Sequence, residues 1–308
     1  MEASKILIAT DTLKFYYCTK REYLRPVKIF RTVQTFEQYL SAERNSGQTI
    51  AFVPTMGALH EGHISLIRIG LEHATRVVCS IFVNPTQFNQ PEDLKQYPRT
   101  PDEDIALLFR AGCHALFMPE AEEIYPGGRK FQPEVELNGA DKVMEGHFRP
   151  GHFDGMLMVV YRLLEITNPD FLVMGQKDFQ QYSLVGMMIS QLRLNARLII
   201  GPTRREPDGL AMSSRNRRLE ASFREKAPII YQALQYARER LGQLPVRTIE
   251  SEASAMIDQE GFRTEYFQIV DGRTLLPLAS ADQAAYVVAC VACWAGEVRL
   301  IDNLSLKP

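Results

Sequence analysis

Two histidines three residues apart, His60 and His63, stand in the run Pro54–Arg68 (PTMGALHEGHISLIR). The run reads as a strand end, a loop of small residues and the first turn of a helix. Gly57 lets backbone come close to a ligand. Imidazoles at a helix N-terminus sit where free N–H groups and the helix dipole favour an anion. Positions three apart face one direction on the first turn. The chemistry indicated is the cradling of phosphate. Two plainer readings stay open on these residues alone: a pair of helix-capping histidines, and a zinc site. H-E-G-H lacks the H-E-x-x-H spacing that zinc would want. No Gly-Lys-Ser/Thr follows the glycine, so this is no P-loop.

Three further clusters could carry chemistry. In Met174–Tyr182 (MGQKDFQQY) Lys177 is a point charge for phosphate, and Asp178 is placed to accept from a ribose. Gln181 lies one turn on from Lys177. In Asp208–Leu219 (DGLAMSSRNRRL) Ser213 and Ser214 offer hydroxyls and Arg215 a planar fork for phosphate. A solvated helix start and a solvated basic linker are the bland alternatives for these two. In Phe82–Thr100 (FVNPTQFNQPEDLKQYPRT) the amides of Asn84 and Gln87 both donate and accept. They suit a substrate bearing hydroxyls and a carboxylate.

Strands and helices must hold these clusters in place. Thr49–Val53, Arg76–Val83, Ala115–Met118, Asp170–Met174 and Arg197–Ile200 are short, uniformly apolar runs and read as buried strands. Between them lie helical patterns from Val33 to near Gly47, His63–His73, Pro101–Ala111, Met156–Thr167 and Asp178–Gln191. Alternating strands and helices predict an α/β fold, a Rossmann-like doubly wound parallel sheet. Ligands then sit at the carboxyl ends of the strands. From Pro202 the texture changes to a basic loop, helices at Ala221–Leu241 and Thr248–Glu260, and three short strand-like runs. The domains expected are an N-terminal extension at 1–26, a Rossmann-like domain at 27–203 and a smaller α+β domain at 204–308.

With 308 residues, 45% of them hydrophobic, the chain can bury two cores. A net charge of -2 gives no global attraction to nucleic acid or to an anionic membrane. Phosphate must therefore be bound by a local site. No run approaches the ~20 apolar residues of a membrane span. The N-terminal stretch lacks a secretory-signal pattern, and five irregularly spaced cysteines suit reduced thiols. A cytoplasmic protein is expected. Cys290 and Cys293 form a C-x-x-C inside a strand-like run. Positions three apart on a strand point to opposite faces, so core packing is expected there rather than a metal.

The H-x-G-H pattern is the signature of the nucleotidyltransferase class. PTMGALHEGH, VNPTQF, YPRT, EGHFRPGHF, GQKDFQQ and DGLAMSSRN occur in one order. In that order and spacing the chain resembles the pantothenate synthetase family from Val27 to its end. The resemblance implies an ATP-dependent, AMP-forming ligase that condenses pantoate with β-alanine through a pantoyl-adenylate. It implies an ATP loop of Met56, Gly57, Ala58, Leu59, His60, Glu61, Gly62 and His63, with His63, His60 and Lys177 catalytic. Gly175, Gln176, Lys177, Asp178, Arg204, Met212, Ser213, Ser214 and Arg215 would complete the ATP site. Gln87 and Gln181 would hold pantoate. The family's members use Mg2+ with ATP, with Glu103 and Asp104 the candidate contacts and Asp104 the one chosen. They are typically cytoplasmic homodimers.

Three positions depart from the family pattern. Arg204 replaces a small apolar residue, Gln176 a glutamate, and Asp154 an arginine. The competing enzyme is another H-x-G-H nucleotidyltransferase acting on a phosphate ester. It would need extra Lys/Arg where this chain has amides. An ATP-binding regulatory module is the reading without catalysis.

Overall fold

The computed structural model describes residues 26–88 and 91–307. The expectation for the N-terminal extension therefore falls almost wholly outside the described residues. Six parallel strands form the first sheet: β1 (Lys28–Phe30), β2 (Ile50–Thr55), β3 (Arg76–Ile81), β4 (Ala115–Phe117), β5 (Phe171–Gly175) and β6 (Arg197–Gly201). Their order is β1-β4-β3-β2-β5-β6. The chain leaves β2 toward β3 and β4, then returns to lay β5 on the other side of β2. The crevice at the carboxyl ends of β2 and β5 is the topological switch point, where such sheets bind ligands.

The helices that precede β6 along the chain are α1 (Val33–Asn45), α2 (Glu61–His73), α3 (Pro91–Gln96), α4 (Pro101–Ala111), α5 (Ala121–Ile124), α6 (Glu145–Phe148), α7 (His152–Thr167) and α8 (Phe179–Leu192). Alternate strand residues serve opposite faces. Ala51, Val53, Val77, Cys79, Leu116 and Val173 share one core with Leu66 and Ile67 of α2 and Ile105 and Leu108 of α4. Phe117 faces the other way and stacks on Phe36 of α1, centroids 4.6 Å apart. Each Val, Leu, Ile or Phe among them, fully buried, contributes roughly 1.5–3 kcal/mol. Both faces being covered explains why the strands show no polar alternation.

The second sheet is antiparallel, in the order β7 (Arg263–Asp271), β8 (Val287–Ala295), β9 (Val298–Lys307). Three helices accompany it: α9 (Ala221–Lys226), α10 (Ile229–Arg240) and α11 (Val246–Gln259). The long helix expected over Ala221–Leu241 is two helices. Pro228 at the junction has no N–H to give the carbonyl four residues back, and its ring crowds that carbonyl. The three-residue β1, the short α6 and the early start of α7 at His152 were not foreseen, because none carries enough periodic residues to show a pattern. Cys290 and Cys293 are both buried and free. Cys293 packs in the helix-side core with Ala289 and Val291, and Cys290 is outside that set, so the pair does divide between two faces.

The chain separates into two compact units. The first runs to Val135 and adds Gly151–Gly175 and Val185–Gly201. The second comprises Glu136–Pro150, Gln176–Leu184 and Pro202 onward. Two segments inside the range read as the first domain thus cluster with the second. Among the described residues no helix is long and apolar enough to cross a membrane.

Candidate active site

At the end of β2 the chain turns through Met56–His60 into α2. Gly57 and Ala58 both adopt left-handed backbone, with φ of 82° and 48°. Glycine does so freely. Alanine does so at a cost of about 1–2 kcal/mol, so something must hold it. The holder is Asp104 of α4, only 1% exposed. The Ala58 N–H donates to its Oδ2 at 2.9 Å and the Leu59 N–H to its Oδ1 at 2.7 Å. Thr100 Oγ1 adds a third bond, to Oδ1, at 3.1 Å. A Cβ on Gly57 would press on Ile81 and on this same carboxylate.

His60 is the N-cap of α2, and its Nδ1 accepts the Gly62 N–H at 3.2 Å. His63 Nδ1 accepts the His60 N–H at 3.3 Å. The two rings lie 4.1 Å apart. A neutral ring that accepts at Nδ1 carries its proton on Nε2. Accepting at Nδ1 therefore leaves the proton of each neutral ring on Nε2, at the start of α2. The capping reading of the pair therefore holds. Glu61 pairs with Arg68 on the surface of the same helix.

Gln87 closes a short 3-10 turn that Asn84 caps. Its amide is oriented at both ends: Nε2 donates to Met56 Sδ at 3.0 Å, and Asn84 Nδ2 donates to Oε1 at 3.2 Å. Asn84 is fixed in turn by the Tyr125 hydroxyl, 2.9 Å from its Oδ1, and by the Gly155 carbonyl, 3.1 Å from its Nδ2. A side chain on Gly155 would collide with the Thr86 carbonyl, so α7 needs glycine there to reach this turn. His152 Nδ1 lies 2.8 Å from the Gln87 carbonyl oxygen.

The other expected residues belong to the second unit, except Gly175, which ends β5. Lys177 Nζ lies 3.5 Å from Asp178 Oδ1. The Gln176 and Lys177 carbonyls accept from Asn303 Nδ2 at 3.0 and 2.7 Å. Gln181 follows, half-buried on α8. Arg204 exposes its side chain and uses its carbonyl to accept the Met212 N–H at 2.9 Å. The departure from a small apolar residue therefore adds no buried charge. Ser213 caps a 3-10 turn over Ser214–Arg218, its Oγ accepting the Arg215 N–H at 3.3 Å. The basic segment is folded, not a loose linker.

A resident metal finds little support in the donor set. Among the described residues no group of three or more His, Cys, Asp or Glu side chains could hold a metal ion. Asp104, expected as a magnesium contact, already accepts three hydrogen bonds from within the fold. Magnesium commonly arrives with substrate phosphates and few protein ligands, and that mode is compatible with these residues.

A family model described as pantoate-beta-alanine ligase matches residues 28–305. The chain belongs to the pantoate–β-alanine ligase family. The pantothenate synthetase of Porphyromonas gingivalis strain W83 is 42% identical over 285 residues, covering 91% of this chain and 100% of the relative. The crystal structure of pantothenate synthetase from Thermus thermophilus superposes with a TM-score of 0.84 at 40% identity, over 91% of this chain and 99% of that one. The pantoate-beta-alanine ligase of Francisella tularensis, described as complexed with beta-gamma ATP and β-alanine, gives 0.75 at 36% identity, over 91% and 98%.

Placing the chain in the ligase family leaves several site-building residues that sequence reasoning missed. Asn303 holds the backbone around Lys177. Its neighbour Asp302, 4% exposed, grips Arg205 through two bonds of 2.6 and 3.1 Å. Arg205 lies over the Tyr231 ring at 3.8 Å. Burial raises the Asp302 carboxyl, and Arg205 offsets that only in part. Glu145 opens the quoted EGHFRPGHF motif and had no role assigned. It accepts two bonds from Arg299, at 2.8 and 2.7 Å, and one from the Tyr266 hydroxyl at 2.8 Å. Burial alone would raise its carboxyl, but Arg299, Arg149 and Tyr266 hold it down at about 2. The signal for Asp302–Asn303 was a polar pair interrupting the apolar run EVRLIDNL.

Proposed function

We propose that this chain joins pantoate to β-alanine at the expense of ATP, through a pantoyl-adenylate, releasing AMP and pyrophosphate. The observation that carries this reading is the pair of imidazoles whose Nδ1 atoms are tied to backbone amides at the carboxyl end of β2. They supply donors for phosphate where a doubly wound sheet binds its ligand. Family membership and the ATP and β-alanine named for the Francisella neighbour support the same substrates.

Pantoate's carboxylate is ionised at neutral pH and needs no base to attack the α-phosphorus. The barrier is the approach of one anion to another. His60, His63, Lys177 and Arg215 supply a compensating field, and the Ser213 and Ser214 hydroxyls add donors. Gly175–Asp178 hold the nucleotide, with Asp178 on the ribose. Gln87 and Gln181 bind the hydroxy acid without adding negative charge. The fixed amide of Gln87 presents donor and acceptor in one orientation. Pro54, Met56 and Phe88 suit the apolar part of pantoate. Magnesium, brought on the nucleotide, would neutralise phosphate charge.

The neutral amine of β-alanine then attacks the acyl carbonyl, and AMP leaves. Met212–Arg215 would close over the triphosphate, and a closed site keeps water from the adenylate. The family resemblance further supports a cytoplasmic homodimer, and the buried free thiols suit a reducing compartment.

Mass spectrometry of products from ATP, magnesium, pantoate and β-alanine is the direct test. Pantothenate and AMP are expected, with pyrophosphate released only when pantoate is present. Pyrophosphate release without pantoate, or transfer onto a phosphate ester, would replace this reading.

A further inference from the structure

We propose that Asp104 is a positioning residue for the phosphate-binding histidines, acting as a clamp on the loop before α2 and not as a metal ligand. The inference rests on the reading of His60 and His63 as phosphate donors.

The loop is held at both ends. Thr55 Oγ1 donates to the Ser80 carbonyl at 2.7 Å and accepts the Gly57 N–H at 3.2 Å. Beyond it, two successive residues take left-handed backbone, and the second is Ala58. That geometry turns the Ala58 and Leu59 amides the same way, into the buried carboxylate of Asp104. The Leu59 side chain is fully buried in the core beneath. The next residue is His60, whose own N–H donates to His63 Nδ1. The clamp therefore ends one peptide bond from the residue that starts the helix and orients both rings.

A single carboxylate can accept both N–H groups, one on each oxygen. A carboxamide cannot, because its nitrogen carries hydrogens. Asp104→Asn thus leaves one buried amide facing another donor, at nearly unchanged size. One of the two bonds that hold the strained Ala58 turn is then lost, and the loop relaxes away from the geometry that aims the rings.

Two measurements test this on the full chain. The first is binding of a non-hydrolysable ATP analogue by calorimetry, with magnesium and again with EDTA. Asp104→Asn is expected to weaken binding ~10-fold in both conditions, about 1.4 kcal/mol. A loss seen with magnesium and absent in EDTA would make Asp104 a metal ligand and overturn the proposal. The second is pantoate-dependent pyrophosphate release in a single turnover. Asp104→Asn should slow it ~10²-fold, the scale of one misplaced electrostatic donor. Its pantoate KM and its rate of β-alanine attack on supplied pantoyl-adenylate should match the wild type. Equal loss in both half-reactions would reduce Asp104 to general structural support.

Thr100→Val removes only the hydroxyl bond to Oδ1 and guards against a misfolded first variant. It should give a few-fold loss confined to the first half-reaction, and a wild-type rate would count against the clamp. Failure of the wild-type chain to release pyrophosphate would fault the proposed function instead. Analogue binding would still decide the clamp.

Discussion

The two units hold the residues expected to bind substrates by different means. In the first, the histidine loop is nearly self-sufficient. Many of its bonds run between Thr55, Gly57, His60, Gly62 and His63, and distant residues add to them: Ser80 at Thr55, Gln87 at Met56, and Asp104, 45 residues from Leu59. In the second, the contributing segments are tied down by one strand. From β9, Arg299 takes Glu145 of the 136–150 segment, Asn303 takes the backbone at Gln176–Lys177, and Asp302 takes Arg205. These partners are 154, 126 and 97 residues away in sequence. Adjacent strand residues point to opposite faces, so β9 can hold different segments from each side. Local bonding makes a motif that is self-positioning. Anchoring to a strand makes segments whose geometry depends on the whole unit.

That contrast can be broken or sharpened by substitution. The largest effect is expected at Glu145. Glu145→Gln leaves Arg299 with Glu265 as its remaining carboxylate partner and should cost about 3 kcal/mol of stability, read by urea denaturation at neutral pH. The pH dependence has a definite sign. The Glu145 carboxyl falls from an ordinary 4.5 to about 2 in the folded state. Its stabilisation is therefore complete above about 4.5 and fades as pH drops toward about 2. Glu145→Gln should flatten that acid limb. An unchanged limb would mean that β9 does not hold the 136–150 segment electrostatically.

His63→Ala and Lys177→Ala come next, one from each unit. Each should slow single-turnover adenylate formation by ~10²–10³-fold. A wild-type rate in either would remove that unit's phosphate contact from the comparison. Asn303→Ala should then raise the ATP KM ~10-fold, because two carbonyls lose their shared donor. Its pantoate KM should stay put, and parallel steady-state titrations read both. Movement of the pantoate KM alone would contradict the anchoring role. The smallest expected change is Gln181→Ala, which should raise the pantoate KM several-fold by removing a neutral hydrogen-bonding group, with ATP little affected. Equal shifts would place Gln181 elsewhere than on the acid.

Much of the first unit was legible beforehand. The strands were uniformly apolar because both faces of a parallel sheet are covered, and composition alone reveals that. The histidine spacing, the strand before it and the helix after it are one continuous stretch, so their geometry is local and readable. Helix α1 stopped short of Gly47 and α4 ran from Pro101 to Ala111 as periodicity and end signals indicated. The misses have physical causes as well. Pro228 splits one expected helix, while β1 and α6 are too short to show a period.

The sequence by itself determined the alternation of strands and helices, the placing of His60 and His63 between a strand and the first turn of a helix, and the family. Those depend on neighbours along the chain, where hydrogen bonds and hydrophobic period leave a regular trace. Only the tertiary structure decided that Asp104 accepts two loop amides, that Asn84 and Tyr125 orient Gln87, and that β9 fastens Glu145, Lys177 and Arg205. A hydrogen bond between residues far apart along the chain has no spacing to read, because it exists only once both partners are buried together.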